Sequence, residues 1–141
     1  MSMLTVMRTV RIEWGDCDPA GIVYFPRYFE YFDQCTAGIF EAIGYRKPAL
    51  LQTYDFAGFP VVDVHANFRV PSKFGDDVVV HTRIPKWGRS SFKMHHRLMK
   101  GDALGVEGFE TRVWVARDPA RPGGIKAQPL PAELFERFRN G

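Results

Sequence analysis

This chain of 141 residues has few cysteines and no long apolar run. Its two cysteines, Cys17 and Cys35, do not form a C-x-x-C pair, which excludes a disulfide framework and a paired-cysteine zinc or redox site. A small buried thiol is the simplest role for each, although a catalytic Cys17 stays open at this point. The absence of 18 consecutive apolar residues excludes a membrane-spanning helix.

The first ten residues also lack the basic leader and apolar core of an export signal, so we expect a cytoplasmic protein. The composition is otherwise ordinary, with 45% hydrophobic and 25% charged residues, and predicts one globular domain spanning residues 1–141. Aromatic residues reach 14% and are concentrated in residues 24–32. A stretch so rich in rings indicates a helix that is largely enclosed by other elements.

Acidic residues are absent from residues 78–101. This stretch contains six of the basic residues and three of the four histidines: Arg83, Lys86, Arg89, Lys93, Arg97, Lys100, His81, His95 and His96. The resulting positive field suits a phosphate-bearing ligand or an RNA backbone, and a solvated strand face is the alternative. The net charge of +3 is too small to indicate nucleic-acid binding by itself.

Five stretches alternate between apolar and polar residues, as half-buried strands do. The first contains Val10, Ile12 and Trp14. The other four are predicted at residues 62–70, 78–87, 92–98 and 109–115, the last with Phe109, Thr111, Val113 and Val115 on one face. Turns near residues 88–90 and 100–105 make the last three strands an antiparallel meander.

A long helix is predicted from Pro26 to Ile43, because proline suits a first helical turn and Gly44 suits a helix end. Its apolar face contains Phe29, Phe32, Ile39, Phe40 and Ile43. Residues 46–60 are expected to form a loop or short helix, and residues 132–139 a terminal helix.

The order of these elements predicts an α+β fold in which a five-stranded antiparallel sheet curls around one long central helix. A sheet this small leaves an edge unprotected, so we expect pairing with a second copy of the chain.

The turn before the long helix combines residue types that suit acyl transfer. Asp16 and Asp18 lie shortly before a helix N-terminus, whose free N–H groups can stabilise an oxyanion. A nearby carboxylate can act as a nucleophile or as a general base toward water. Gly21 allows the backbone to approach a ligand closely. A purely structural turn is the alternative.

Residues 16–33, DCDPAGIVYFPRYFEYFD, closely resemble the signature of the 4-hydroxybenzoyl-CoA thioesterase family. The resemblance extends to residues 11–14, 58–62 and 86–92. It implies a hot-dog fold, in which a sheet wraps one long helix and the active sites lie between paired subunits. The activity it implies is hydrolysis of an aromatic acyl-CoA to the free acid and CoA, with no metal and no cofactor.

The resemblance also assigns roles by position. Asp18 matches the catalytic carboxylate, and the backbone N–H of Phe25 matches the oxyanion donor. Tyr24 and Gly21 are expected beside the acyl group. Asp33 matches the residue that recognises the hydroxyl of an aromatic ring.

Coenzyme A has a phosphate-rich end that requires basic side chains at the surface. The family carries a run of basic residues in the hairpin at 86–92, but here only Arg89 matches, because glycine and serine interrupt the run. Arg89, Ser91 and Lys93 are therefore the predicted CoA-binding residues. The expected partners are an acyl-CoA substrate and further copies of the chain, as a homodimer or a homotetramer built as a dimer of dimers, with no nucleic acid and no membrane.

Several alternatives stay open at this stage. A related branch of short-chain acyl-CoA thioesterases places histidine directly after the signature tyrosine, where this chain has Phe25, so an aromatic acyl group is favoured. A hot-dog domain that binds acyl-CoA without hydrolysing it, and an RNA-binding module that uses residues 78–101, are the other two. Histidine-dependent dehydration is disfavoured because no histidine precedes His65.

Overall fold

The computed structural model describes residues 4–140. Its strands are β1 (Thr5–Arg11), β2 (Val61–Phe68), β3 (Asp77–Trp87), β4 (Ser91–Lys100), β5 (Ala103–Val113), β6 (Val115–Arg117) and β7 (Ile125–Ala127). Its helices are α1 (Pro26–Ala42), α2 (Lys47–Thr53) and α3 (Ala132–Asn140), with a 3-10 turn at Trp14–Asp16. Residues 1–3 and Gly141, which the predicted domain 1–141 includes, lie outside the described residues.

Strands β1 to β5 form one antiparallel sheet in the order β1-β3-β4-β5-β2. The consecutive strands β3, β4 and β5 are the predicted meander, while β1 and β2 occupy the two edges. Helix α1 packs against one face of this sheet and shares its core with residues of β3, β4 and β5. The predicted α+β fold, one long helix against five antiparallel strands, is confirmed.

Helix α1 buries a wide face because residues three and four apart lie on the same side of a helix. The buried residues are Tyr28, Tyr31, Phe32, Cys35, Thr36, Ile39 and Phe40. Phe29 was also predicted on this face but is only half-buried. The centre of the buried face lies beyond Phe32 as seen from Phe29, so Phe29 is at the margin of the face. Gly44, just after the helix, has a φ of +98°, a backbone conformation that favours glycine and ends the helix.

Phe32 of α1 fits against the sheet because residue 108 in β5 is glycine. The Phe32 ring stacks on the ring of His96 in β4, with centroids 4.7 Å apart. A Cβ atom added at Gly108 would lie 2.4 Å from the Phe32 ring. The absence of a side chain at residue 108 therefore sets how closely the helix approaches the sheet.

The first strand begins and ends earlier than predicted. Trp14 was expected to face inward at its end but lies in the 3-10 turn with 71% of its surface exposed. The strand is interrupted because the backbone N–H of Glu13 donates to the Asp16 carboxylate at 3.0 Å, which caps the turn. Ile12, the residue after β1, is the inward-facing one and is fully buried.

Strand β5 faces the opposite way from its predicted alternation. Glu110 and Arg112 lie on the face toward α1, where both are buried, whereas Phe109, Thr111 and Val113 lie on the other face. The prediction was wrong because the two buried side chains carry opposite charges and neutralise each other, so a polar pair occupies core positions.

The region after β5 contains more regular structure than expected. Strands β6 and β7 form a two-stranded sheet inside the segment predicted to be a connector. The predicted terminal helix is confirmed as α3, which buries Leu134 and Phe138, and α2 lies in the predicted loop or short helix. Among the described residues, no helix combines the length and apolar character needed to cross a membrane.

Strand β2 is exposed on both faces in the single chain. Its apolar side chains are open to solvent, with 62% exposure at Val62 and 52% at Phe68. It is also an edge strand, so one row of its backbone groups is unpaired within the sheet. Apolar side chains and a free backbone edge together are typical of a strand that pairs with another chain.

We expect Gly108→Ala to lower the free energy of unfolding by about 1–3 kcal/mol, because the new methyl group would overlap the Phe32 ring and force the helix or the ring to move. Urea-induced unfolding followed by tryptophan fluorescence measures this change.

Gly38→Ala is the matched control, since residue 38 lies inside α1 and an added Cβ would have no atom within 4 Å apart from its chain neighbours and the backbone of the helix itself. This variant should unfold at the same or a slightly higher urea concentration than the unmodified protein. Equal stability of the Gly108→Ala variant and the unmodified protein would contradict the proposed packing.

Candidate active site

Asp18 lies in a small hairpin that precedes α1. Its backbone N–H donates to the carbonyl of Ile22 at 2.9 Å, and its carbonyl accepts from the N–H of Gly21 at 2.9 Å. Carboxylate oxygen Oδ1 accepts from the N–H of Ala20 at 2.9 Å, whereas Oδ2 has no hydrogen-bond partner within residues 4–140. Gly21 has a φ of +82°, which closes the turn. The hairpin therefore holds the carboxylate by one oxygen and leaves the other free.

The start of α1 follows directly from this hairpin. The N–H of Tyr24 donates to the carbonyl of Asp16 at 2.8 Å, and the helix begins at Pro26. The backbone N–H of Phe25 has no hydrogen-bond partner among the described residues. The rings of Tyr24 and Phe25 are 52% and 57% exposed. The sequence-predicted residues Asp18, Gly21, Tyr24 and Phe25 are thus brought together in one short segment.

Asp16 stabilises the same segment through contacts of its carboxylate. Its carboxylate caps the 3-10 turn at Glu13 and lies 3.9 Å from the guanidinium of Arg27 in the first turn of α1. Asp16 therefore connects the end of β1, the hairpin and the helix start, and its role is structural.

Asp33 lies about two turns further along α1, on the side of the helix that faces Arg112. Its Oδ1 accepts from Nη2 of Arg112 at 2.9 Å. The side chain of Asp33 is 58% exposed, while that of Arg112 is only 5% exposed. Asp33, which the resemblance assigns to the recognition of a ring hydroxyl, therefore lies on an exposed part of the helix surface and is held there by a buried guanidinium.

Arg112 belongs to a buried polar network between α1 and the sheet. Its Nε donates to Oε1 of Glu110 at 2.9 Å, and the hydroxyl of Thr36 in α1 donates to the same oxygen at 2.8 Å. Nε2 of His96 lies 3.4 Å from that oxygen, and Nδ1 of His96 shares a hydrogen bond of 2.8 Å with the hydroxyl of Thr82. The network joins α1 to β3, β4 and β5.

The network shifts the pKa of its two main charged groups. Burial by itself would raise the pKa of Glu110, but hydrogen bonds from His96 and Arg112 outweigh burial and lower that pKa to about 2. Burial would also lower the pKa of Arg112, but the hydrogen bonds and charges of Glu110 and Asp33 raise it above its ordinary value. Both groups therefore stay charged at neutral pH.

An open cleft of about 370 Å³ lies beside Arg112. Its walls include Lys47 and Leu51 of α2 and Phe56 and Phe59 of the following loop. The Phe59 ring faces two cations, with Arg112 at 5.6 Å and Lys47 at 5.8 Å from its centroid. The cleft is apolar and aromatic with charged groups at its edge. Among the described residues, no group of three or more His, Cys, Asp or Glu side chains is arranged to hold a metal ion.

The predicted CoA-binding residues lie far from Asp18 within one chain. The Asp18 hairpin contacts Ser72 and Lys73, just before β3 begins. Arg89 lies in the turn after β3 ends, and Ser91 and Lys93 follow in β4. The eleven residues of β3 separate these two ends by about 33 Å at about 3.3 Å per residue. The two groups of residues therefore occupy opposite ends of the sheet.

Five residues of the site were not identified from the sequence: Thr36, Thr82, His96, Glu110 and Arg112. Each lies in a segment whose apolar neighbours dominated the interpretation. One signal was present in the sequence: Glu110 and Arg112 stand at i and i+2 in a predicted strand, so they share one face and can form an ion pair.

Comparison with known proteins adds to this geometry. Residues 12–138 match the thioesterase-like superfamily. The 4-hydroxybenzoyl-CoA thioesterase of Pseudomonas sp. (strain CBS-3) is 34% identical over 134 residues, which cover 89% of this chain and 92% of that protein. The 1,4-dihydroxy-2-naphthoyl-CoA hydrolase of Synechococcus sp. (strain WH7803) is 26% identical over 123 residues, covering 83% of this chain and 80% of that protein.

The fold is also similar to that of a solved structure. A crystal structure of a mutant 4-hydroxybenzoyl-CoA thioesterase in complex with 4-hydroxybenzoyl-CoA aligns with a TM-score of 0.86 and 28% identity, covering 95% of this chain and 98% of that chain. These similarities confirm the resemblance of residues 16–33 and the fold expected from it.

We expect Glu110→Gln to lower the free energy of unfolding at pH 7 by about 3–5 kcal/mol, because it leaves the Arg112 cation buried beside a neutral partner. The pKa of Glu110 is lowered in the folded state, so its stabilising effect is present above the ordinary pKa near 4.5 and is lost as the pH falls toward about 2. The loss of stability between these pH values should therefore be less steep in the variant. Urea unfolding at a series of pH values measures both effects.

Glu136→Gln, which removes an exposed carboxylate in α3, is the matched control and should change neither quantity. Equal acid sensitivity of the Glu110→Gln variant and the unmodified protein would rule out an ionised Glu110 in the core.

Proposed function

Because this chain belongs to the thioesterase-like superfamily and is an acyl-CoA thioesterase, we propose that it hydrolyses an aromatic acyl-CoA of the 4-hydroxybenzoyl-CoA type to the free acid and CoA. The main support is the hairpin that leads directly into α1: among the described residues, one carboxylate oxygen of Asp18 and the backbone N–H of Phe25 have no hydrogen-bond partner. The aromatic cleft beside Arg112 and the names of the two relatives, both of which act on hydroxylated aryl-CoA thioesters, support the substrate class.

The free oxygen of Asp18 supports two routes. In the first, it adds to the thioester carbonyl carbon, the N–H of Phe25 stabilises the oxyanion, and the C–S bond breaks to release CoA thiolate, which takes a proton from water. Water then hydrolyses the acyl-Asp18 anhydride. In the second, Asp18 takes a proton from a water molecule whose oxygen attacks the carbonyl, and it returns the proton to the departing sulfur. Rapid-quench detection of acylated Asp18 distinguishes these routes. Neither route requires a metal or a redox cofactor.

The neighbours of Asp18 suit the remaining requirements of this reaction. Gly21 leaves the backbone of the hairpin open to close approach, and the exposed Tyr24 ring offers an apolar surface to the acyl group. Asp33 is proposed to accept a hydrogen bond from the ring hydroxyl. We place the CoA phosphates against Arg89 and Lys93, with Ser91 as a neutral hydrogen-bonding group.

A homodimer would bring these distant groups together. If β2 pairs with β2 of a second copy, the antiparallel arrangement reverses the chain direction, so the Asp18 end of one sheet lies beside the Arg89 end of the other. The exposed apolar side chains of β2 support this pairing. We propose this dimer as the catalytic unit, a tetramer as two such dimers, and the cytoplasm as its location.

We expect Asp18→Asn to lower kcat for 4-hydroxybenzoyl-CoA about 10³-fold or more, because the amide can neither attack the thioester nor accept a proton from water. The rate of thiol release, followed with a chromogenic thiol reagent, measures this loss. The same assay on benzoyl-CoA and on a short straight-chain acyl-CoA tests the proposed aromatic preference.

Asp102→Asn, in the exposed turn between β4 and β5, is the matched control and should retain full activity. Full activity of the Asp18→Asn variant would exclude Asp18 as the catalytic group. Faster hydrolysis of the straight-chain thioester than of either aromatic one would replace the aromatic proposal with the short-chain alternative.

The two-chain site predicts complementation between inactive variants. We expect coexpressed Asp18→Asn and Arg89→Ala/Lys93→Ala chains to recover about a quarter of the unmodified activity at low acyl-CoA concentration, because half of randomly formed dimers are mixed and each mixed dimer has one intact site. The comparison is with each variant expressed alone. If the coexpressed chains are no more active than the mean of the two variants expressed alone, each site takes its Asp18 and its basic residues from the same chain.

A further inference from the structure

We infer that Arg112 is a positioning residue for acyl specificity, because it fixes the Asp33 carboxylate and also forms part of the wall of the aromatic cleft that contains Phe56 and Phe59. This inference rests on the proposed function, since it concerns how the ring hydroxyl of an aromatic acyl-CoA is recognised. Arg112 is buried and does not itself contact the hydroxyl, so its role is to position Asp33.

All three guanidinium nitrogens of Arg112 are engaged in different directions. Nε donates to Glu110 at 2.9 Å, Nη1 donates to the carbonyl of Phe59 at 3.2 Å, and Nη2 donates to Asp33 at 2.9 Å. A guanidinium is planar and rigid, so contacts on three sides fix both its position and its plane. Asp33 is therefore bound to a group that cannot rotate.

Glu110, which binds Arg112, is itself held in place by a second hydrogen bond. Oε1 of Glu110 accepts from the Thr36 hydroxyl as well as from Arg112, and Glu110 is 4% exposed. Thr36 lies three residues after Asp33 in α1, so both residues belong to one face of the helix. The helix contacts the Glu110–Arg112 pair at two points one turn apart, which sets the position of Asp33 relative to the sheet.

Arg112 connects Asp33 to the cleft, while Asp33 itself lines an open surface pocket with Phe29, Glu30 and Gln34. Arg112 forms part of the cleft wall, and Oδ1 of Asp33 is one hydrogen bond away from it. Oδ2 of Asp33 has no hydrogen-bond partner among the described residues, and the side chain is more than half exposed. Its free oxygen is thus available to a hydrogen-bond donor, and the inference places the hydroxyl of the substrate ring there.

The charges favour a hydroxyl as that donor. Glu110 already neutralises Arg112 in the core, so the carboxylate of Asp33 adds a negative charge at the exposed surface of α1 beside Arg112. A carboxylate attracts an O–H donor and repels an anionic ring substituent. The expected substrate therefore has a neutral hydroxyl on its aromatic ring, and a ring without the hydroxyl leaves the Asp33 oxygen unpaired.

The test is a comparison of kcat/KM for 4-hydroxybenzoyl-CoA with kcat/KM for benzoyl-CoA. We expect the preference for the hydroxylated substrate to fall about tenfold or more in Asp33→Ala. Arg112→Lys should reduce the preference to a similar extent, mainly through a higher KM for the hydroxylated substrate. The double variant Asp33→Ala/Arg112→Lys should lose no more of the preference than Asp33→Ala alone, because Arg112 acts through Asp33.

A second variant leaves the buried network untouched, in case Arg112→Lys does not fold. Asp33→Glu keeps the charge on the exposed helix surface but moves the carboxylate away from its position on Arg112. We expect it to lose the hydroxyl preference nearly as fully as Asp33→Ala. Arg117→Lys, at an exposed arginine in β6, is the matched control and should leave the preference unchanged.

The outcomes separate this inference from the proposed function. An unchanged preference in Asp33→Glu, or an Arg112→Lys variant that slows both substrates equally, would show that Arg112 is only structural and would overturn the inference. Asp18-dependent hydrolysis of both aromatic substrates would leave the proposed function standing in that case. If the unmodified protein hydrolyses neither aromatic thioester, the proposed function and the inference both fail.

Discussion

The ion pair between Glu110 and Arg112 lies where α1 packs against the sheet, and other features of the structure depend on it. Two unpaired charges at that depth would cost several kcal/mol each, so the pair is tolerated because Oε1 of Glu110 and all three guanidinium nitrogens of Arg112 have hydrogen-bond partners. Those partners come from α1, from the loop before β2 and from β5 itself. Helix, loop and sheet are thereby held in one relative position, which apolar packing alone would specify less narrowly.

The same pair connects the core to the site. Nη2 of Arg112, which does not contact Glu110, donates to Asp33. The Asp33 side chain, on the exposed surface of α1, is thereby held in a fixed position. The Asp18 hairpin is organised differently, through backbone hydrogen bonds and the capping carboxylate of Asp16. The proposed catalytic carboxylate and the proposed recognition carboxylate are thus positioned by separate sets of hydrogen bonds, one before the start of α1 and one near its middle.

The exposed edge at β2 is the surface through which two chains would form the proposed dimer. The chain places its reactive hairpin and its basic hairpin at opposite ends of β3, and it leaves an apolar edge strand exposed between them. Antiparallel pairing of two such edges would cover the apolar side chains and bring opposite ends of the two sheets together. In the proposed dimer, the geometry of one sheet edge would therefore link dimer formation to substrate binding.

Local patterns in the sequence determined the types of the main elements, the helix start at Pro26 and the turn at Asp18, because periodicity, proline and glycine act through neighbouring residues. They determined neither the face of β5 that turns inward nor the buried network, since Glu110 is acceptable in the core only when Thr36 of α1 and His96 of β4 join Arg112 of its own strand around it. Only the tertiary structure decided that Asp33 rests on Arg112, because residues 79 positions apart meet through the packing of α1 on the sheet.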